Sequence, residues 1–212
     1  MSRRPVPPLV EEVLEEAKRR GHLGPAPVGL HLLHSLAFAA VVTDELSAGP
    51  RLIDIGSGGG VPGLVLAMVL PAAQVLLLEG SSRRAEWLRE ALVLLSLEDR
   101  VGVVEMRAEE AARLDSLRAS FDGVTARSFA SPAVTAECGA GFLRAGGALF
   151  VSEPPDDDFD SRWPTEGLRE LGLAKAEHRS ADGFSFAVIA CTTQAPARYP
   201  RRTGIPAKRP LF

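Results

Sequence analysis

An α/β fold of the Rossmann-like class, with a seven-stranded, mostly parallel sheet and helices on both faces, is predicted by three observations. From Arg51 onward, short apolar runs alternate with helical patterns, which is typical of βαβ units. A glycine-rich loop follows the first apolar run, at the sheet edge where such folds bind ligands. Two final β-like runs are joined by Asp182-Gly183, a dipeptide typical of hairpins.

The elements follow in an order that divides the chain into three parts. Residues 1–48 are expected to form a short helical extension, with helices from Leu9 to Arg20 and from about Leu30 to Leu46. Residues 49–193 are expected to form the domain itself, and residues 194–212 a basic, proline-rich tail over its surface. Strands are expected at 51–55, 74–79, 101–106, 121–126, 146–152, 173–180 and 184–193, and intervening helices at 61–70, 82–97, 108–114, 131–143 and 162–171.

Composition limits the classes of function. With 212 residues the chain is long enough for one α/β domain, and its net charge of −3 gives no overall basic character, so RNA binding would need a local basic patch. Two cysteines, Cys138 and Cys191, are too few and too distant for a zinc motif or a disulfide framework. Prolines and glutamates near the start make a signal peptide unexpected, and no apolar run approaches the ~20 residues that span a bilayer. We therefore expect a reduced, cytoplasmic protein without a metal.

The glycine loop is the strongest indication of a ligand. Asp54, Gly56, Gly58 and Gly60 have the D-x-G-x-G-x-G spacing that is typical of S-adenosylmethionine sites in class I methyltransferases. The G-x-G-x-x-G match that ends at Gly63 leaves a nicotinamide cofactor open, and a tight turn without a ligand is a third interpretation. The terminal hairpin favours the methyltransferase, since a plain dinucleotide-binding domain lacks it.

Two acidic positions follow the next strands. Glu79 ends the second strand, where a carboxylate can accept the ribose hydroxyls of a nucleoside. Ala108 and Glu109 follow the third strand, where the adenine edge would lie, although Glu109 also suits the first turn of a helix. Arg83 and Arg84 begin the helix after Glu79 and are RNA-binding candidates, with a solvated helix end as the alternative.

The fourth strand indicates which reaction is possible. After it the chain has TARSFA rather than the Asn/Asp-Pro-Pro-Tyr/Phe motif of amine methyltransferases, and no catalytic cysteine motif is present. A nucleophile that already has a free lone pair, such as guanine N7, needs only to be positioned. The histidines have no evident nucleophile partner, so structural roles are expected for His22, His31, His34 and His178.

Several segments together point to one family. They are HLLHSLAF, DIGSGGGVPG, SSRRAEWLRE, RAEE, FDGVTARSFAS and YPRRTGIPAKRPLF. These segments, from about Leu30 to Phe212, resemble the bacterial small-subunit ribosomal RNA guanine-N7 methyltransferases, the glucose-inhibited division protein B family. The ARSFAS segment and the tail are not general methyltransferase features. The resemblance implies an S-adenosylmethionine cofactor and 16S ribosomal RNA, or the small ribosomal subunit, as partner. We also expect a monomer.

The resemblance also implies roles for single residues. Cofactor contacts would fall on Gly56, Val61, Ala108, Glu109 and Arg127. Arg127 would lie near the methionine portion and the guanine and would act as the catalytic, orienting residue, with a structural salt bridge as the alternative. Basic residues of the tail could contact RNA phosphates: Arg198, Arg201, Arg202, Lys208 and Arg209.

The chain departs from the family pattern after the fifth strand. A lysine and a glycine are usual there, whereas this chain has Ser152-Glu153-Pro154-Pro155 and then Asp156 to Asp158, an acidic stretch expected to repel phosphate. The N-terminal region is also short and lacks the family's Asn-Leu-Thr segment. A methyltransferase of a small metabolite and a non-catalytic adenosylmethionine-binding protein therefore stay open as alternatives.

Overall fold

A seven-stranded sheet runs through the computed structural model, which describes residues 6–155 and 158–212. Within these residues the strands are β1 Arg51–Ile55, β2 Gln74–Glu79, β3 Val101–Glu105, β4 Phe121–Ala126, β5 Leu143–Glu153, β6 Glu177–Ala181 and β7 Phe184–Ala190. Their order across the sheet is β3-β2-β1-β4-β5-β7-β6. The first five strands are parallel, and β7 is antiparallel to both of its neighbours. The predicted Rossmann-like fold and its terminal hairpin are confirmed.

Helices cover both faces of this sheet. In the described residues they are α1 Pro8–Arg19, α2 Val28–Glu45, α3 Gly63–Val69, α4 Ser82–Leu95, α5 Ala108–Ala111, α6 Pro132–Ala140, α7 Phe159–Arg162, α8 Thr165–Glu170 and α9 Ile205–Lys208. Helices α1 to α4 contribute to the apolar cluster on one face, and α5, α6 and α8 contribute to the cluster on the other.

The strands divide their side chains between these two clusters with the two-residue period of β structure. In β1, Leu52 belongs to the first cluster and Ile53 to the second; in β5, Phe150 belongs to the first and Leu149 to the second. All four side chains are fully buried, and each contributes about 1.5–3 kcal/mol of transfer free energy. This burial on both faces explains why the strands are continuous apolar runs rather than alternating ones.

The N-terminal helices are part of this core. Val10, Leu14 and Ala17 of α1 are fully buried, and Phe38 of α2 packs edge-on against Phe186 of β7 at a centroid distance of 4.7 Å. Helix α2 contacts α3 and the β5, β7 and β6 strands. Helix α2 thus packs against the main domain, while the boundary of the extension near residue 48 stays a prediction.

The C-terminal tail is anchored more firmly than a surface segment. Arg118 donates to the carbonyl oxygens of Ala195 and Tyr199, both at 2.8 Å, and Tyr199 itself is buried. The Arg201 guanidinium donates to both carboxylate oxygens of Glu137, at 2.9 and 2.6 Å, and Glu137 is completely buried. The Arg201 guanidinium, which we expected to contact RNA, therefore holds the tail against α6, and its role in RNA binding stays a prediction.

Other differences from the prediction concern the ends of elements. The single helix expected at 162–171 is split into α7 and α8, because Pro164 lacks an N–H and disfavours a helical conformation at Trp163. The strand expected at 173–180 begins only at Glu177, and the helix expected at 108–114 ends at Ala111. Of the expected acidic loop, Asp156 and Asp157 lie outside the described residues.

Two further expectations concern the chain's surroundings. In the part of the chain that the structure describes, no helix is both long enough and apolar enough to cross a bilayer. Cys138 and Cys191 are both buried, and neither forms a disulfide. Burial raises the pKa of both thiols, so neither is activated as a thiolate.

Replacing Arg201 by alanine would leave the Glu137 carboxylate buried with only the backbone N–H of residue 201 as a partner among the described residues. We expect the free energy of unfolding to fall by about 3 kcal/mol, because removing one partner of a buried ion pair leaves the charge of the other buried and unpaired. Urea denaturation measures the change, with Arg202→Ala, at an exposed position, as the matched control and an expected effect within about 0.5 kcal/mol. Equal midpoints for the two variants would contradict this role of Arg201.

Candidate functional site

A cavity of about 520 Å³ lies beside the glycine loop, at the carboxyl ends of the parallel strands. The strand order reverses between β1 and β4, which is where doubly wound sheets open a crevice for ligands. Seven of the nine residues predicted to bind the cofactor line this cavity: Gly56, Gly58, Val61, Glu79, Ala108, Glu109 and Arg127. Asp54 and Gly60 are not in its wall.

The glycine loop has a backbone that only glycine adopts easily. Gly56, Gly58 and Gly60 have φ angles of +71°, +56° and +103°. A Cβ atom on Gly56 would also come within 2.7 Å of Cδ2 of Phe129, which lines the same cavity. The spacing seen in the sequence therefore reflects both the turn of the loop and the close approach of a neighbouring side chain.

Asp54 lies beneath the loop and holds it. Its Oδ1 accepts a hydrogen bond from Thr125 Oγ1 at 2.8 Å, and its Oδ2 accepts one from the Gly63 backbone N–H at 3.2 Å. Burial raises the pKa of Asp54 to about 6, against the opposing effect of these hydrogen bonds. Asp54 thus joins β1, β4 and the start of α3, and shapes the cavity from behind.

Glu79 is a buried carboxylate with three donors. Its Oε2 accepts the Gly58 N–H at 2.9 Å, and its Oε1 accepts the Ser81 N–H at 2.9 Å and the Arg84 Nη2 at 2.7 Å. Burial opposes ionisation, but these donors outweigh it and lower the pKa of Glu79. The carboxylate is therefore charged at neutral pH and is a strong acceptor at the cavity wall.

The C-terminal tail closes one side of this cavity. Glu109 Oε1 accepts a hydrogen bond from the Gly204 N–H at 3.0 Å, and Glu110 Oε1 accepts one from Thr203 Oγ1 at 2.9 Å. These contacts bring Ala207 of α9 into the cavity wall. No sequence pattern indicated this neighbour, because more than ninety residues separate the tail from α5.

Arg127 lies at the end of β4 and contacts His31 of α2. The distance from Arg127 Nη2 to His31 Nδ1 is 2.6 Å, and His31 Nε2 is 3.3 Å from the Gly24 carbonyl oxygen. Since a guanidinium can only donate, Nδ1 is the acceptor and Nε2 carries the proton that is donated to Gly24. Burial lowers the pKa of His31, and the Arg127 charge adds to this effect, which keeps the ring neutral.

This contact is compatible with the structural role expected for His31, but the sequence did not indicate Arg127 as its partner. The sequence signal was the HLLHSLAF segment, which contains both His31 and His34. Burial also lowers the pKa of Arg127, and its Nη1 is buried without a hydrogen-bond partner among the residues that the structure describes. That N–H group is available to an acceptor on a bound ligand.

A second cavity of about 420 Å³ adjoins the first. The two share the wall formed by residues 127–130. The rest of the second cavity includes His34, Thr135, Glu153, Arg162 and Trp163. Ligands in the two cavities would therefore lie next to each other, beside Arg127 and the three residues after it.

His34 lines the second cavity and packs among aromatic rings. Its imidazole lies 4.8 Å from the ring centroid of Phe184 and 5.4 Å from those of Phe38 and Phe186. Burial lowers the pKa of His34 to about 4, and the charge of Arg127 contributes to the shift. The ring is therefore neutral at physiological pH.

The residues predicted to bind RNA fall into two groups. The guanidinium groups of Arg84 and Arg201 are held by Glu79 and Glu137. Exposed side chains belong to Arg83, Arg198, Arg202, Lys208 and Arg209, with Arg198 over the ring of Tyr199. A role for any of them in RNA binding stays a prediction.

His34 is expected to make the folded wild-type protein less stable in acid, and replacing it by leucine should remove that effect. Because the pKa of His34 is about 4 in the folded protein and 6.5 in an unstructured chain, the unfolded state takes up a proton first as pH falls. The wild type should therefore lose roughly 3 kcal/mol relative to His34→Leu between pH 7 and pH 4. The raised pKa of Asp54 makes the folded state more stable as pH falls, but Asp54 is present in both proteins, so its contribution cancels in the comparison. Parallel pH profiles of the unfolding free energy would show that His34 does not titrate in this way.

Comparison with known proteins agrees with this geometry. The family model described as GidB, rRNA small subunit methyltransferase G, matches residues 27–153. The ribosomal RNA small subunit methyltransferase G of Roseiflexus castenholzii is 37% identical over 86% of this chain and 78% of its own length. The same enzyme of Dehalococcoides mccartyi is 32% identical over 86% of this chain and 80% of its own length. An O-methyltransferase from Bacillus cereus, solved in complex with SAH, has the same fold, with a TM-score of 0.63 and 19% identity over 89% of this chain and 92% of that one. The chain therefore belongs to the rRNA small subunit methyltransferase G family, as its sequence motifs predicted.

Proposed function

We propose that this protein transfers a methyl group from S-adenosylmethionine to N7 of a guanine in small-subunit ribosomal RNA. The proposal rests on two adjoining cavities, one beside the glycine loop and one beside Glu153, which share residues 127–130 in their linings. A methyl donor and an acceptor base need such an arrangement, because the two reacting atoms must meet in line. Family membership supports the choice of ribosomal RNA as substrate.

The residues of the first cavity fit adenosylmethionine. The buried, charged Glu79 at the end of β2 suits the ribose hydroxyls, and the wall at Ala108 and Glu109 suits the adenine edge. The positive φ angles at Gly56 and Gly58 keep side chains away from the methionine portion. When bound, the cofactor supplies an electrophilic methyl group on its sulfonium.

The chain's own contribution to the reaction is orientation. Guanine N7 is unprotonated at neutral pH, so no base is needed to activate it. His31 keeps the Arg127 guanidinium in place, since its Nδ1 accepts one N–H at 2.6 Å. The Nη1 of Arg127, which has no partner in the described part of the chain, can donate to an acceptor such as the guanine O6 or the methionine carboxylate. Walls at Phe129 and Val134 help to exclude water.

Exposed basic side chains are available to contact the RNA backbone. Arg83 at the start of α4 and Arg202, Lys208 and Arg209 of the tail are exposed and can contact phosphates as point charges or forks. The tail residues lie on the segment that closes the cofactor cavity through Ala207. We further propose that the protein acts as a monomer in the cytoplasm, where its substrate is made.

Methyl transfer from labelled adenosylmethionine to small subunits, isolated from a strain that lacks this gene, tests the proposal. We expect the label as 7-methylguanosine, and a rate lower by about 100-fold or more for Arg127→Ala, because positioning is lost. Arg100→Ala is the matched control: Arg100 is also partly buried, donates to the Ala67 carbonyl, and lies at the opposite end of the strands. Its rate should stay within about twofold of the wild type, as expected for a residue remote from the reaction. Absence of label in ribosomal RNA would overturn the assignment.

The predicted role of Glu79 has a separate test. Glu79→Gln should weaken adenosylmethionine binding by about tenfold or more, because an amide replaces one charged acceptor oxygen. Isothermal titration calorimetry measures the affinity. The matched control is Glu105→Gln, since Glu105 is the register partner of Glu79 on β3 and is paired with Arg89 on the surface. Equal affinities of the two variants would remove Glu79 from the cofactor site.

A further inference from the structure

The second cavity contains a buried carboxylate that the proposed mechanism does not use. The side chain of Glu153, at the end of β5, is only 2% exposed. Its Oε2 accepts a hydrogen bond from Arg162 Nε at 2.7 Å, while its Oε1 is buried and has no partner among the described residues. A buried acceptor that lacks a donor is unfavourable, so this atom points to a ligand that brings one.

Arg162 determines what kind of ligand fits. The ion pair leaves Glu153 as a carboxylate, which only accepts hydrogen bonds, and it compensates the negative charge. The free position at Oε1 therefore selects for N–H groups rather than for a metal or for phosphate. Trp163, which also lines this cavity and is 2% exposed, has an indole N–H that no described residue accepts. Glu153 and Trp163 thus add one acceptor and one donor to the lining groups of this cavity that have no partner within the described structure, which also include Nδ1 of His34 and Nη1 of Arg127.

Guanine has the complementary pattern on its Watson–Crick edge. It presents N1–H and an N2 amino group as neighbouring donors, with the O6 acceptor beside them. Adenine and cytosine present a ring-nitrogen acceptor at the corresponding position, which a carboxylate would repel. Enzymes that act on a base take it out of the stack and recognise this edge in a pocket, often against aromatic side chains. Glu153 and Trp163 match such a pocket.

The orientation agrees with methylation at N7. Glu153 and Trp163 belong to the part of the second cavity that is not shared with the first. A guanine whose N1 and N2 face Glu153 turns its opposite edge, which carries N7, toward the shared wall at Arg127. Recognition and reaction would then use opposite edges of the same base.

We propose that Glu153, held by Arg162, is a specificity-determining residue that accepts hydrogen bonds from N1–H and the N2 amino group of the target guanine. This inference rests on the proposed function and extends it to the choice of base. The residue that would recognise the base, Glu153, lies in the segment where the family usually has a lysine and a glycine and this chain has neither. Glu153 contacts the substrate in this arrangement but takes no part in moving the methyl group.

The test compares guanosine with inosine, which keeps N7, O6 and N1–H but lacks the N2 amino group. The nucleotide that the wild type methylates is first located by nuclease digestion and mass spectrometry. Small-subunit RNA is then assembled by ligation with guanosine or inosine at that single position. For the wild type we expect kcat/KM to be about tenfold lower with inosine, because one hydrogen bond to a charged acceptor is lost.

The Glu153→Gln variant should change this ratio. Its amide keeps the volume but presents N–H groups, so activity on guanosine should fall by about 10–100-fold and the guanosine-to-inosine ratio should approach one. Glu137→Gln is the matched control, because Glu137 is also a buried carboxylate paired with an arginine but lines neither of these two cavities of the described structure. Its stability can change, but its ratio should equal that of the wild type. Adenosylmethionine affinity, measured in parallel, should be unaltered by Glu153→Gln.

Each result separates the two proposals. If the wild type labels no ribosomal RNA, the proposed function fails and this inference falls with it. If the wild type methylates guanosine and inosine equally, the inference is wrong while the function stands, and this outcome does not depend on any variant folding. An unchanged ratio in a folded Glu153→Gln protein would likewise overturn the role of Glu153.

Discussion

The hydrogen bond between Arg127 and His31 connects the parts of this molecule on which the site depends. Arg127 stands at the end of β4, where the two cavities meet, and His31 belongs to an N-terminal helix that is packed into the core through Phe38. The guanidinium keeps its position only if α2 is docked on the sheet. The N-terminal extension is therefore part of the site, and the neutral state of His31 is a condition for the contact, since a protonated ring could not accept.

Buried carboxylates at two strand ends and in α6 hold the rest of the site. Asp54 fixes the glycine loop to β4, Glu79 fixes it to the start of α4, and Glu137 fixes the tail that closes the cavity. Each of these carboxylates joins two segments that are separated in the sequence. Each therefore fixes how two elements lie relative to each other rather than the local conformation of one of them. Such contacts add specificity to a fold whose stability comes mainly from the two apolar clusters.

The sequence predicted what depends on local pattern and missed what depends on distant partners. The spacing of Gly56, Gly58 and Gly60 encodes a turn within one short segment, so both the loop and its cavity could be anticipated. Arg201 and Glu137 are 64 residues apart and Arg127 and His31 are 96 apart, and no periodicity links such positions. The same limit explains why a basic tail looked free in the sequence although one of its arginines is held against α6 by a buried carboxylate.

The expected effect of the acidic segment at the end of β5 depends on the partner that Glu153 has in the folded protein. In the sequence, Glu153 and the aspartates after it formed an acidic rim that should repel RNA. In the structure, Glu153 is paired with Arg162 and buried, so the pair has no net charge and contributes little to the field that phosphate would meet. At Glu153 the pairing leaves a directional acceptor, Oε1, and directional hydrogen bonding distinguishes one base from another, whereas net charge cannot. A substitution that looked incompatible with an RNA substrate is thus compatible with recognition of a base in that RNA.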